Sequence, residues 1–293
     1  AFMNKPKLMS TIQPYLYVLP MAVVFGIFSV YPIVHTLYLS FTDSGSTISN
    51  FHFVGMRNYI DMFHGGEFLT VLKNTLIFSV STVLLTVLIG LLFAAVANSE
   101  AVRFKGLFRM ATFYPYILPS TVAAMVWIYM YNPTRGIINM LFGTNIQWLN
   151  SYTYSLPALI VVQVWKSLGF NFLLILSGMQ NISPEYYDAA SLETNSGIKK
   201  FLHITLPLLK PTLSLTTLLA VTSSFQSMDL VAIMTQGKPG NSTNVIAYYV
   251  YQQGIIYGKV GFGSAVSFVL LLSLLIFTVL YLRMEKGAVS YDQ

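Results

Sequence analysis

Gln163, Lys166 and Ser167 stand at i, i+3 and i+4 in an otherwise apolar run, and Phe170 and Asn171 continue the same helical face. A second run carries Thr222, Ser223, Ser224, Gln226, Ser227 and Asp229, and a third sets Tyr114 and Tyr116 on either side of Pro115. These groups exchange hydrogen bonds rather than covalent ones. With no cysteine, the chain has no thiolate nucleophile, disulfide or Cys-ligated metal. His35, His52, His64 and His203 are scattered, without paired metal-ligand spacing, and His35 has no nearby acid. Amides, hydroxyls and ring faces with little net charge suit a neutral polyhydroxylated ligand, whose hydroxyls swap hydrogen bonds and whose C–H faces lie on rings.

Other fates stay open for the same residues. Serine and threonine in apolar helices commonly bond backbone carbonyls and join helices, and tyrosines commonly mark a membrane interface. Lys166 and Asp229 are the charges deepest within apolar runs. Either they pair, or Lys166 meets an anionic group on the ligand, or one of them snorkels from a helix end. The candidate substrate set is Gln163, Lys166, Ser167, Asn171, Tyr114, Ser224, Gln226 and Asp229.

The elements that must hold these residues are long apolar blocks. The chain is 55% hydrophobic and 9% charged over 293 residues, with mean hydropathy +0.65; a soluble domain carries about 25% charged residues. The blocks have the length that crosses about 30 Å of hydrocarbon, and their unbroken apolarity excludes a barrel. The expected fold is an all-α membrane protein of six transmembrane helices at 14–40, 72–97, 107–131, 156–180, 208–234 and 261–283, the third bent at Pro115 and Pro119. The first block is longer than a signal-peptide core and has no small-residue cleavage site, so it reads as a retained span. Residues 14–283 are expected to form one membrane domain.

Six spans put both termini on one side, and the positive-inside rule selects that side. One face holds ten basic residues, among them Lys5, Lys7, Arg103, Lys105, Arg109, Lys199 and Lys200; the other holds five, Arg57, Lys73, Arg135, Lys238 and Lys259. Both termini (1–13 and 284–293) and the 181–210 loop are therefore expected in the cytoplasm. The net charge of +6 follows from this topology, and with no dense basic cluster no nucleic-acid partner is expected. Lipid is the solvent.

The 181–210 loop is too long for a simple connection between packed helices, which usually takes about 2–8 residues. Ser183-Pro184-Glu185 reads as N-cap, first helical position and dipole-matched acid. A helix is expected to about Thr194, stopped by Asn195-Ser196-Gly197, with a second helix up to Leu206-Pro207. The small Ala189 and Ala190 leave room for another surface, and the block reads as a docking site for a soluble partner.

Asp188-Ala189-Ala190, Thr194 and Ile204-x-Leu206-Pro207 resemble the EAA loop of ABC importer permeases, E-A-A-x3-G-x9-I-x-L-P. Asp188 stands where that family has Glu, and Thr194 where it has Gly. Phe53-Val54-Gly55, Asn58-Tyr59, Asn74-Thr75-Leu76, Phe104-Lys105-Gly106, Tyr114-Pro115, Leu118-Pro119, Val164-Trp165-Lys166, Gly169-Phe170-Asn171 and the 237–243 run with Pro239, Gly240, Ser242 and Thr243 are similar, in order, to its carbohydrate subgroup, which includes maltose and glycerol-3-phosphate systems. The resemblance implies a type I ABC importer transmembrane domain in a bacterial inner membrane. It implies an ATPase-coupling set of Tyr187, Asp188, Ala189, Ala190, Glu193, Thr194 and Gly197. It further implies a homologous second permease, two copies of a cytoplasmic ATPase that bind ATP and Mg, and an extracellular or periplasmic solute-binding protein. The substrate implied is a carbohydrate, with glycerol-3-phosphate or another sugar phosphate as the alternative, and the mechanism is alternating access.

Two other functions compete. This chain has no G-x-x-x-x-G-K-[ST] phosphate loop, so it is expected to be a translocation subunit without cofactors of its own. A self-sufficient secondary transporter would need coupling carboxylates in the bilayer, and only Asp229 offers one. An intramembrane enzyme would need a Ser–His or paired-Asp arrangement that the spans lack.

Overall fold

In hydrocarbon the backbone finds its hydrogen-bond partners within itself, so the apolar blocks fold as helices. The computed structural model describes residues 7–45, 52–99 and 103–289, with the side chains of 7–14, Leu16 and 285–289 left aside. Lys5, counted above in the N-terminal charge, and residues 290–293 of the tail lie outside the described residues. In chain order the helices are α1 (Lys7–Phe25), joined by a π turn (Gly26–Val30) to α2 (Tyr31–Ser40), α3 (Arg57–His64), α4 (Glu67–Asn98), α5 (Lys105–Ile117), α6 (Ser120–Met130) and α7 (Ile137–Phe142). Then come α8 (Ser155–Gln180), α9 (Pro184–Glu193), α10 (Gly197–Lys200), a π turn (Phe201–Thr205), α11 (Leu206–Leu208), α12 (Lys210–Phe225) and α13 (Asp229–Met234). The series ends with α14 (Ile246–Tyr251), a π turn (Gln252–Ile256) and α15 (Val260–Val289). Among the described residues, β pairing is one antiparallel bridge, Thr42 to Phe53.

Five expected spans are stretches long and apolar enough to cross a membrane: Tyr17–Ser40, Glu67–Asn98, Ser155–Gln180, Lys210–Met234 and Val260–Met284. The sixth, expected at 107–131, is α5 and α6 meeting at 101°. The bend expected there is a full break. Leu118 precedes Pro119 and takes extended backbone (φ −64, ψ 134), as a residue before proline prefers, so α5 stops and α6 begins anew.

The chain divides into two compact units. In the first, Ala1–His64 with Val250–Leu271, Asn58 Nδ2 donates to the carbonyls of Ser40 and Thr42 at 2.8 Å each, tying α3 to the end of α2. The Gly261 N–H donates to the Ser44 carbonyl at 3.0 Å and brings the start of α15 against the same turn.

In the second unit, Gly65–Tyr249 with Leu272–Gln293, α8 is flanked by α4, α5 and α12, and α13 packs on α6. Phe172, Ile175, Leu176 and Met179 of α8 meet Ala94 and Ala97 of α4, together with Leu209. The alanines let the backbones approach, as small residues do between membrane helices. A Cβ at Gly169 would lie 2.6 Å from the Thr112 carbonyl oxygen and 2.7 Å from Phe113 Cα, so α5 crosses α8 at backbone contact. The 237–243 signature folds as a loop clasped to α4: Asn74 Nδ2 donates to the Asn241 carbonyl at 2.7 Å, and Glu67 accepts from Asn241 Nδ2 at 2.6 Å and the Tyr249 hydroxyl at 3.2 Å.

Candidate functional site: a polar cavity and an outlying capped helix

Within the second unit a cavity of about 470 Å³ opens between α8 and the junction of α12 with α13. Its size falls in the range of small-molecule sites, about 300–1,000 Å³. The i, i+3, i+4 spacing brings Gln163, Lys166, Ser167, Phe170 and Asn171 of α8 to one wall.

The facing wall exists because a helix breaks. Thr222 Oγ1 donates to the Leu218 carbonyl at 2.9 Å and Ser224 Oγ to that of Val221 at 2.8 Å, local bonds that compete with the helical ladder. α12 ends at Phe225, Met228 N–H turns back onto the Gln226 carbonyl at 2.8 Å, and α13 restarts at Asp229. Irregular backbone at membrane depth is tolerated where it lines a cavity. Thr222, Ser223, Gln226, Ser227 and Asp229 all border this one, while Tyr116 and Ser120 border it from either side of the α5–α6 break.

The polar groups differ in what remains free. Gln163 is buried; its Nε2 donates to Ser167 Oγ at 3.0 Å and its Oε1 accepts from Ser227 Oγ at 2.9 Å, stitching α8 to the α12–α13 junction. Asn171 Nδ2 donates to the Ser167 carbonyl at 2.8 Å, but its buried Oδ1 has no donor among the described residues. Lys166 is half-buried and Asp229 exposed. They do not pair: the ion pair within 4.0 Å among the described residues is Arg57–Asp61. Tyr116 stacks on Phe170 with ring centroids 5.1 Å apart, forming a flat apolar face.

Six of the eight expected substrate positions thus meet at one cavity: Gln163, Lys166, Ser167, Asn171, Gln226 and Asp229. Two do not. Tyr114 is 64% exposed and away from the lining, whereas Tyr116, two residues on and roughly 200° around the helix, borders it. Ser224 is buried against α4, its hydroxyl bonded to that of Ser79. Ser120, Ser227 and the Tyr116–Phe170 stack were not in the expected set. The two-residue offset of the tyrosines showed in sequence that only one can face a given cavity, but nothing there says which.

The 181–210 loop builds a second feature. Ser183 Oγ accepts from the Glu185 N–H at 3.4 Å, and α9 runs to Glu193. The stop comes one residue earlier than expected and differs in kind: Thr194 is extended (φ −152, ψ 139), Ser196 caps α10, and Gly197 is the first residue of α10. Thr194 at the family's glycine position ends α9 by extending the chain, so no left-handed turn is needed. Tyr187 and Thr205 hydroxyls meet at 2.9 Å, and Lys200 Nζ reaches Ser191 Oγ at 2.6 Å, folding the two helices onto each other. Asp188, Ala189 and Glu193 stay exposed, and so do Tyr186, Leu192 (91%) and Ile198.

A family model described as binding-protein-dependent transport system inner membrane component matches residues 86–288. The chain is 31% identical over 276 residues to the trehalose/maltose transport system permease protein MalF of Thermococcus litoralis, covering 93% of each. It is 31% identical over 284 residues to the sn-glycerol-3-phosphate transport system permease protein UgpA of Agrobacterium fabrum, covering 96% of this chain and 97% of that one. Its fold is similar to a chain of the bacterial alginate ABC transporter solved with an alginate pentasaccharide-bound periplasmic protein: TM-score 0.83, 18% identity, 97% of this chain and 98% of that one.

Proposed function

Because this chain belongs to the binding-protein-dependent transport system inner membrane component family, we propose that it forms the carbohydrate pathway of an ATP-driven importer. It is a multi-pass permease of the inner membrane with the fold of an ABC importer transmembrane domain. The observation that carries the substrate reading is the cavity between α8 and the α12–α13 break, lined by amides, hydroxyls and a stacked ring pair. Carbohydrate relatives support it: the names of two matched proteins specify trehalose/maltose and arabinooligosaccharides.

In this reading the termini and α9 face the cytoplasm, which the ten-to-five distribution of basic residues supports. α9, with Tyr187, Asp188, Ala189, Ala190, Glu193, Thr194 and, at the start of α10, Gly197, docks in a cleft of a separate ATPase. Two ATPase copies, a homologous second permease and a solute-binding protein complete the machine, and ATP and Mg are bound by the ATPase. Closure of the ATPase pair moves α9, the cavity changes the side to which it opens, and substrate released by the binding protein enters from outside. Gln163, Lys166, Ser167, Asn171, Gln226 and Asp229 contact the sugar. The alternative, a sugar phosphate such as glycerol-3-phosphate, draws on the unpaired Lys166 and on the UgpA relative.

The test is to purify the tagged chain in mild detergent and identify what accompanies it by mass spectrometry. The expected result is a phosphate-loop ATPase and a second permease in fixed proportion. A chain that comes out alone and still moves a solute in liposomes overturns the reading.

A further inference from the structure

Resting on the carbohydrate reading above, we propose that the cavity selects neutral sugars over acidic ones, with Lys166 and Asp229 acting as opposed donor and acceptor for ring hydroxyls. The lining holds two formal charges, of opposite sign and from different elements, α8 and the start of α13. Its net charge is zero. Neither charge is spent on the other, since no ion pair within 4.0 Å joins them, so both are available to a ligand.

Counting what each group needs decides the ligand class. Lys166 offers only donors, and Asp229 only acceptors. Gln163 spends one amide hydrogen on Ser167 and one oxygen lone pair on Ser227, bonds that fix its orientation in the wall. A ligand that meets both must therefore give hydrogens to Asp229 and accept them from Lys166. Sugar hydroxyls donate and accept at once, so some can give hydrogens to the Asp229 carboxylate while the oxygens of others receive from Lys166. An ionised carboxylate or phosphate on the sugar would pair with Lys166 but bring a second anion into the cavity that Asp229 lines, turning a neutral lining into a net negative occupied site. The Tyr116–Phe170 face accepts the C–H side of the ring whichever sugar enters.

The experiment uses the complete complex in lipid nanodiscs, without binding protein, so that only the membrane cavity selects. Saturation-transfer NMR is read with a mixture of trehalose, maltose and arabinobiose against glucuronate, glucose 6-phosphate and sn-glycerol 3-phosphate. Wild type is expected to saturate at least one neutral sugar and none of the acids. Asp229→Asn should weaken neutral binding about tenfold, the scale of one charge-assisted hydrogen bond, and should bring in acids because the cavity becomes positive. Lys166→Gln should also weaken neutral sugars but admit no acid. That opposite sign separates an electrostatic filter from general damage, with co-elution of all subunits as the folding check. Acids bound by wild type as well as neutral sugars, or an Asp229→Asn complex with an unchanged ratio, would overturn the proposal while leaving the transport reading intact. No saturation of either class would overturn both the proposal and the assignment of the cavity as the substrate site.

Discussion

Gly169 sits where α5 crosses α8, and replacing it with alanine tests whether that crossing holds the cavity wall in place. The added Cβ would fall 2.6 Å from the Thr112 carbonyl oxygen, whereas ordinary contact starts at 3.4 Å, so α5 must retreat by about 0.8 Å. The obstructing atoms belong to backbone, and no rotamer change relieves them. Overpacking of this kind destabilises by about 1–3 kcal/mol. α5 carries Tyr116 near its end, so the retreat pulls that ring from its 5.1 Å stack on Phe170 and opens the wall beside Lys166. We expect Gly169→Ala to lower the melting temperature of the purified complex by several degrees, by tryptophan fluorescence, and to reduce uptake of labelled sugar several-fold. Gly106 supplies the control. It lies in the first turn of the same helix, and a Cβ added there would meet nothing within 4 Å; Gly106→Ala should be neutral or stabilise by about 0.4–1 kcal/mol through reduced chain entropy. A Gly169→Ala complex that melts with wild type and imports at full rate would refute the reasoning.

Leu192 is 91% exposed on α9, and burying such a side chain against a partner contributes about 1.5–3 kcal/mol, so Leu192→Asp should cut ATPase retention on the tagged permease tenfold or more. Asp188→Lys should leave the chain inserted but weaken the same association; unchanged transport-coupled ATP hydrolysis would remove α9 from the coupling role. Tyr187→Phe deletes the 2.9 Å bond to Thr205, worth about 0.5–1.5 kcal/mol, and should lower the sugar moved per ATP in proteoliposomes while all subunits still co-purify. Tyr116→Ala should depress uptake and Tyr114→Ala leave it near wild type, since only the former borders the cavity; equal effects would mean the wall is drawn in the wrong place.

The chain is legible residue by residue wherever local chemistry and the solvent dictate structure. Hydrocarbon demands runs of a certain length, so the apolar blocks were legible, with five of six recovered as single stretches. The start of α9 was legible too, because Ser183, Pro184 and Glu185 act on their own first turn. The α8 face was legible because three residues at i, i+3 and i+4 share a face whatever surrounds them. Tertiary structure alone decided which side of each helix meets the cavity. Ser224 and Gln226 are two residues apart, yet one bonds Ser79 on α4 and the other borders the cavity, because rotation about the helix axis is set by packing of Val83 against Ala220 and Val221. It also decided that Gln163 is satisfied twice over while Asn171 is satisfied once: Ser227 arrives only because α12 breaks after Phe225, and no donor arrives at Asn171 Oδ1. A periodic pattern states which residues travel together; only contact with neighbouring helices turns that set toward a ligand or away from it.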